Sequence, residues 1–153
     1  MGWFDWLRKG PAPVLDHPIF GKVRAAHRPA SGPWLWETLD FVQTPRGRAD
    51  VGFDAGEGGP GPEHERQWQH IVDQLDQFTR QAAPMIGPEL AAFLEKPFPD
   101  DPWEELEWEG VHLAGEQGPG ARFEISYASK SWPDAMITVC FEDEQPTLVR
   151  IDD

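Results

Sequence analysis

A single cysteine, Cys140, is all the thiol chemistry this 153-residue chain carries. One thiol cannot close an intramolecular disulfide, so the fold must hold without the staples of small secreted domains, and cysteine usage gives no sign of an oxidising compartment. No run approaches the ~20 apolar residues that span a bilayer. Basic residues are scarce as well: 13 Lys and Arg stand against 27 Asp and Glu, a net charge of −14. A field of that sign repels nucleic acid and anionic lipid and attracts basic proteins or cations. The opening residues place Arg8 and Lys9 after a short apolar cluster that Asp5 interrupts, the wrong order and length for a secretory signal. Trp6 stands where N-myristoylation wants Ser or Thr. Together these absences lead to the expectation of a cytoplasmic protein with no nucleic-acid and no membrane partner.

What the chain does have is apolar volume, with eight Trp and nine Phe, more than a disordered acidic tail would carry. Its length suits one domain over residues 1–153, preceded by a short leader over 1–13 that Pro11 and Pro13 break. The charge is uneven. Residues 1–50 carry a net of +2 and residues 51–153 a net of −16. Acidity peaks from Asp100 to Glu109, a stretch with two tryptophans and no basic residue.

Hydrophobic periodicity predicts strands at Ile19–Ala25, Trp34–Val42 and Arg48–Asp54. In the second, Leu35, Leu39 and Phe41 alternate with Trp34, Trp36 and Val42, so both faces are largely apolar and the strand reads as central or covered. Thr44-Pro45-Arg46-Gly47 reads as a hairpin turn. After the loop Gly56–Gly61, Trp68, Ile71, Val72, Leu75, Phe78 and Ala82 recur at three- and four-residue spacing, which predicts a helix over about 62–82 with Pro62 in its first turn. Gly87-Pro88-Glu89 starts a shorter helix with Leu90, Phe93 and Leu94 toward the core, ended by Pro97 and Pro99. Four more strands are predicted at 106–114, 122–128, 135–142 and 147–152. Strands, then helices, then strands argue for an α+β fold with a mostly antiparallel sheet and the two helices on one face.

Motifs for chemistry are weak. The glycines at 56–61 fit neither dinucleotide nor P-loop spacing, and Glu57, Glu63 and Glu65 would repel a phosphate. His64 and His70 are six apart, about 240° around a helix, so they cannot share an ion. Asp100, Asp101, Glu104 and Glu105 lack the order of an EF-hand loop. Cys140, between Val139 and Phe141, reads as a packing residue that is reactive only if the fold brings a histidine to it. No metal ligand set, catalytic residue or cofactor is assigned. Indoles surrounded by carboxylates suit an interface with a basic partner, steered by charge and anchored by aromatic rings. The candidate partner-binding residues are Trp103, Glu104, Glu105, Glu107 and Trp108; the rival is that the indoles plug the edge of the core.

Trp34-Leu35-Trp36-Glu37, Asp50-Val51-Gly52-Phe53-Asp54-Ala55-Gly56, Gln67-Trp68, Phe123-Glu124-Ile125-Ser126-Tyr127 and Trp132-Pro133-Asp134-Ala135-Met136-Ile137-Thr138-Val139 resemble small acidic bacterial proteins of unknown function. Some of those look similar to immunity proteins of toxin systems. The resemblance implies a strand hairpin, a long central helix and a C-terminal antiparallel run. Its functional implication is a non-enzymatic binding protein, an immunity-type inhibitor whose acidic surface meets a basic protein; the alternative is a carboxylate-based or divalent-metal-dependent hydrolase.

Overall fold

The computed structural model describes residues 10–116, 118 and 120–153. Among these residues there are nine strands: β1 (Val14–His17), β2 (Gly21–His27), β3 (Trp34–Thr38), β4 (Val42–Thr44), β5 (Gly47–Ala55), β6 (Leu106–Leu113), β7 (Arg122–Ser129), β8 (Met136–Glu142) and β9 (Gln145–Asp152). Two helices, α1 (Pro62–Asp73) and α2 (Leu75–Leu94), stand between β5 and β6. The molecule is an α+β fold with one mostly antiparallel sheet, ordered β1-β2-β3-β5-β6-β7-β8-β9, with β4 paired to β5 alone. Among the described residues only β5 and β6 run parallel, because the helical segment between them returns the chain to the same end of the sheet before it re-enters.

The first hairpin differs from the expected strand at Ile19–Ala25. His17 closes the turn after β1, its Nδ1 accepting the N–H groups of Ile19 and Phe20 at 3.1 and 3.3 Å, and Gly21 takes φ +71°. Ile19 and Phe20 therefore lie in a turn, and β2 starts after them. Of the expected leader, residues 1–9, with Trp3, Phe4, Trp6 and Leu7, lie outside the described residues; the Pro13 carbonyl accepts from Ala25 N–H at 3.1 Å.

Each strand turns alternate residues inward. Val51 and Phe53 on β5, Ile125 and Tyr127 on β7, and Ile137 and Val139 on β8 are buried together with Trp36. The helical stripe predicted from Trp68 to Ala82 is buried on the same core, and ring contacts Phe20–Trp68, Trp68–Trp108, Phe78–Phe123 and Phe78–Phe141 join helix to sheet.

The helical boundaries depart from the sequence pattern. A turn at Gln74 (φ −108°, ψ 13°) divides the expected single helix, and α2 then runs through Pro84 and Pro88 to Leu94. An interior proline costs about 3 kcal/mol because it removes a hydrogen bond and crowds the preceding turn. Here the two rings are four residues apart, on one exposed side of the helix, where water can meet the freed carbonyls. Phe78, Ala82, Ile86 and Leu90 keep the opposite side buried without interruption. The expected second helix is thus the end of α2. Phe93, expected in the core, is 61% exposed, its ring 4.9 Å from that of Trp132.

The face of the sheet away from the helices has no covering layer among the described residues. β3 is central, paired with β2 on one side and β5 on the other, as its doubly apolar pattern led one to expect, but its second face is uncovered among the described residues: Trp36 is fully buried, whereas Leu39 is 42% exposed and Leu35 and Phe41 are exposed as well. Register assembles one row on this open face across the eight strands other than β4: Val14, Arg24, Glu37, Gly52, His112, Glu124, Cys140 and Leu148. No helix among the described residues is long and apolar enough to cross a membrane.

Candidate functional site

The acidic stretch is built from two local structures with opposite fates. Asp101 caps a short 3-10 turn, Pro102–Glu104, by accepting Trp103 N–H at 3.2 Å. β6 then begins at Leu106 and alternates, turning Leu106 and Trp108 inward and Glu107 outward. Of the five residues proposed from sequence, Glu104 and Glu107 are exposed. Trp103 is half-buried; its indole N–H donates to Asp76 Oδ1 at 2.8 Å, and its ring meets Tyr127 edge-on at 6.2 Å. That bond, together with Arg80, holds the Asp76 carboxyl below its usual value.

The structure withdraws the other two from the surface. Trp108 is 7% exposed, stacked on Trp68 at 5.8 Å, with its N–H donated to the Gly110 carbonyl at 3.2 Å. Glu105 is 3% exposed. Its carboxylate accepts the Ser129 hydroxyl at 2.7 Å, the Ser131 N–H at 2.9 Å, the Ser131 hydroxyl at 2.7 Å and Lys96 Nζ at 3.1 Å. Burial works to raise the Glu105 pKa, but the bonds from Ser129, Ser131 and Lys96 outweigh it and bring the value down to about 2. Glu105 is a structural clamp joining the α2 exit to the β7–β8 loop.

Where β6 leaves this stretch, a bulge sets Glu109 and Gly110 opposite Ser126 alone, an irregularity that bends a strand and redirects its side chains. Glu109 then lines the open face beside Asp50. Its pKa is raised by partial burial and then by the neighbouring charges of Glu107 and Asp50, with Arg48 opposing. Asp50, Glu107 and Glu109 take part in no ion pair among the described residues. Three other carboxylates of this face are engaged: Glu37 pairs with Arg24, Asp54 with His112 at 3.0 Å, and Glu124 with Arg150 at 3.2 Å.

Two glycines shape the middle of the face. A Cβ on Gly110 would lie 2.7 Å from the Asp50 carbonyl, and one on Gly52 would lie 2.7 Å from His112 Nδ1. Backbone and an imidazole occupy the space that side chains would otherwise fill. Around them lies a trough of about 500 Å³, lined from β5, β6 and neighbouring strands.

The Cys140 thiol donates to Glu124 Oε1 at 3.2 Å, and Ser126 bonds Thr138 at 3.4 Å, so neither hydroxyl nor thiol is engaged with His112. Burial, and then the Glu124 carboxylate, push the Cys140 thiol pKa up, the reverse of what a thiolate nucleophile needs. Folded protein at pH 7.5 is accordingly expected to react with a disulfide reagent several-fold more slowly than the same chain in denaturant; equal rates would refute a thiol held protonated by partial burial and by Glu124. His64, considered for metal from sequence, is buried, accepting Gly61 N–H at Nδ1 (3.0 Å) and donating from Nε2 to the Asp54 carbonyl (2.7 Å). It performs one half of a helix capping box, the part that Glu or Gln usually plays. Among the described residues, no group of three or more His, Cys, Asp or Glu is placed to hold a metal ion.

The fold and this surface define an α+β protein with helices on one face of a mixed sheet and an open, carboxylate-bearing face on the other. Comparison with protein families, with curated proteins and with solved structures finds no match to this chain. Sequence reasoning had passed over Asp50, Gly52 and His112 as a site. The signal present was the doubly apolar segment from Trp34 to Val42, whose second face had to be covered or available.

Proposed function

We propose that this is a non-enzymatic binding protein, an inhibitor of the immunity type, whose acidic surface takes a basic protein partner. The observation that carries the reading is the concentration of charge: a net of −16 over residues 51–153, with Glu104 and Glu107 exposed and Asp50, Glu107 and Glu109 outside any ion pair among the described residues. Such a field accelerates encounter with a basic surface and weakens with salt. Affinity purification from the cells that make the protein, followed by mass spectrometry, is expected to recover a basic protein at low salt and to release it as salt rises. Recovery of acidic or salt-insensitive partners alone would overturn the reading.

Glu104 and Glu107 supply steering and little stability. Glu104→Gln with Glu107→Gln is expected to slow association with that partner several-fold while leaving the urea midpoint of the protein unchanged. Stopped-flow association and urea titration check the two halves separately. Glu105 is left out of this variant because its carboxylate holds the fold.

A further inference from the structure

We infer that the partner covers the open face of the sheet, and that it does so with a basic protein segment that sets an apolar side chain into the trough over Gly52 and Gly110 and a Lys or Arg against Asp50 and Glu109. The inference rests on the preceding reading and gives it a place and a chemistry. Three observations converge on it.

The first is uncovered apolar surface. Leu35 and Leu39 stand on one side of the trough and Met136, 51% exposed, on the other. Scattered apolar side chains on a surface need no explanation, but these three line a single hollow on a sheet face that no layer of the described residues covers. The second is shape. The glycine floor is enforced by the approach of β5 and β6, since no Cβ fits at Gly110 against the Asp50 carbonyl. A side chain entering the hollow meets the Asp50 backbone at Gly110, the His112 imidazole at Gly52, and Leu35, Leu39 and Met136 at the sides.

The third is charge. Arg24 is spent on Glu37, Arg150 on Glu124, and Arg48 lies over the Phe41 ring at 4.5 Å. Asp50 and Glu109 both border the trough; partial burial first, then the charges of Glu107 and Asp50, raise the Glu109 pKa, with Arg48 opposing. A Lys or Arg placed between them relieves that repulsion, and the partial burial of the site strengthens the attraction. A nucleic acid or an anionic membrane would add to the repulsion. A second copy of the chain would bring another −14, with its own uncompensated carboxylates facing these.

The test uses the full-length, 15N-labelled protein and a short synthetic peptide in which lysine and leucine alternate, followed by amide chemical shifts at low salt. Shifts are expected to concentrate in residues 35–39, 50–54 and 109–112. Peptides alternating lysine with serine, or glutamate with leucine, are expected to bind more weakly, because each removes one of the two matched features. Asp50→Asn with Glu109→Gln is expected to weaken the lysine–leucine peptide about tenfold, and Met136→Ser, a change on an exposed side chain, provides a second variant if the first alters the fold. Shifts confined to Asp100–Glu105 would overturn this placement while leaving a basic partner in force. Equal binding of the glutamate–leucine peptide would overturn the charge match, and a salt-resistant dimer formed through residues 35–39 and 109–112 would replace the basic segment with a second copy. Absence of any shift, together with affinity purification that yields no basic protein, would remove the binding-protein reading itself.

Discussion

Replacing Trp68 by alanine is expected to lower the unfolding free energy by about 3–5 kcal/mol, the range for truncating a buried large aromatic side chain. Trp68 is 4% exposed and lies where α1, the β1–β2 hairpin and β6 meet. Its ring stacks on Trp108 at 5.8 Å and meets Phe20 edge-on at 6.0 Å. Three elements distant in sequence thus share one indole, and no small shift of α1 can refill the space against two rings held by the β1–β2 turn and by β6. Domains of ordinary stability have about 5–15 kcal/mol in total, so the loss would bring the protein close to unfolding at room temperature. Urea denaturation followed by far-UV circular dichroism measures it, avoiding the overlapping fluorescence of the remaining tryptophans. A loss below about 1 kcal/mol would show that this junction repacks and is not the rigid centre assigned to it.

Glu105→Gln is expected to cost about 3 kcal/mol at neutral pH, with a pH dependence that identifies the cause. The Glu105 pKa falls from 4.5 to about 2 on folding, and each unit is worth about 1.4 kcal/mol of preference for the ionised form. Its side chain is 4% exposed, so solvent screening removes little of this. Because the folded value is the lower one, the contribution is fully present above about pH 4.5 and is lost as pH falls from there toward about 2. Glutamine keeps the shape and loses the charge that faces Lys96 and accepts from Ser129 and Ser131. Wild type and variant should therefore differ most at pH 7 and converge as the pH falls toward 2, in urea titrations at several pH values. A gap that stays constant with pH would assign the effect to packing.

These two residues show how unevenly the structure could be read from the chain. Trp68 sits in a local repeat of three and four residues, and a helix of that period has to bury the stripe that carries it. The burial of Trp68 follows from its near neighbours alone. Glu105 lies among six carboxylates in ten residues, and local composition makes it indistinguishable from Glu104 and Glu107. Its burial depends on Ser129, Ser131 and Lys96, which arrive from other parts of the chain. The same reason separates Trp108 from Trp103: the pleat of β6 turns Trp108 toward Trp68, whereas Trp103 precedes the strand in a turn.

The open face follows this pattern. Its alternating polar positions were visible on β7 and β8, where Glu124, Ser126, Thr138 and Cys140 interleave with core residues. Their assembly with Gly52 and His112 was not, because it needs the parallel pairing of β5 with β6 across both helices. Pairing at such separation leaves no local periodic mark; it is decided by which packed arrangement buries the inward faces together.

The sequence by itself determined the α+β class, the faces that had to be buried on helix and strands, the dominance of negative charge, and the poverty of catalytic and metal-binding patterns. These follow from composition and from short-range periodicity, which act wherever the chain goes. Tertiary structure alone decided that α2 continues through Pro84 and Pro88, that the acidic stretch divides into a buried clamp at Glu105 and exposed carboxylates at Glu104 and Glu107, and that Asp50 and Glu109 meet over a glycine floor. Each depends on contacts between distant segments, where the gain from one shared core outweighs local penalties that a linear reading can only count one at a time.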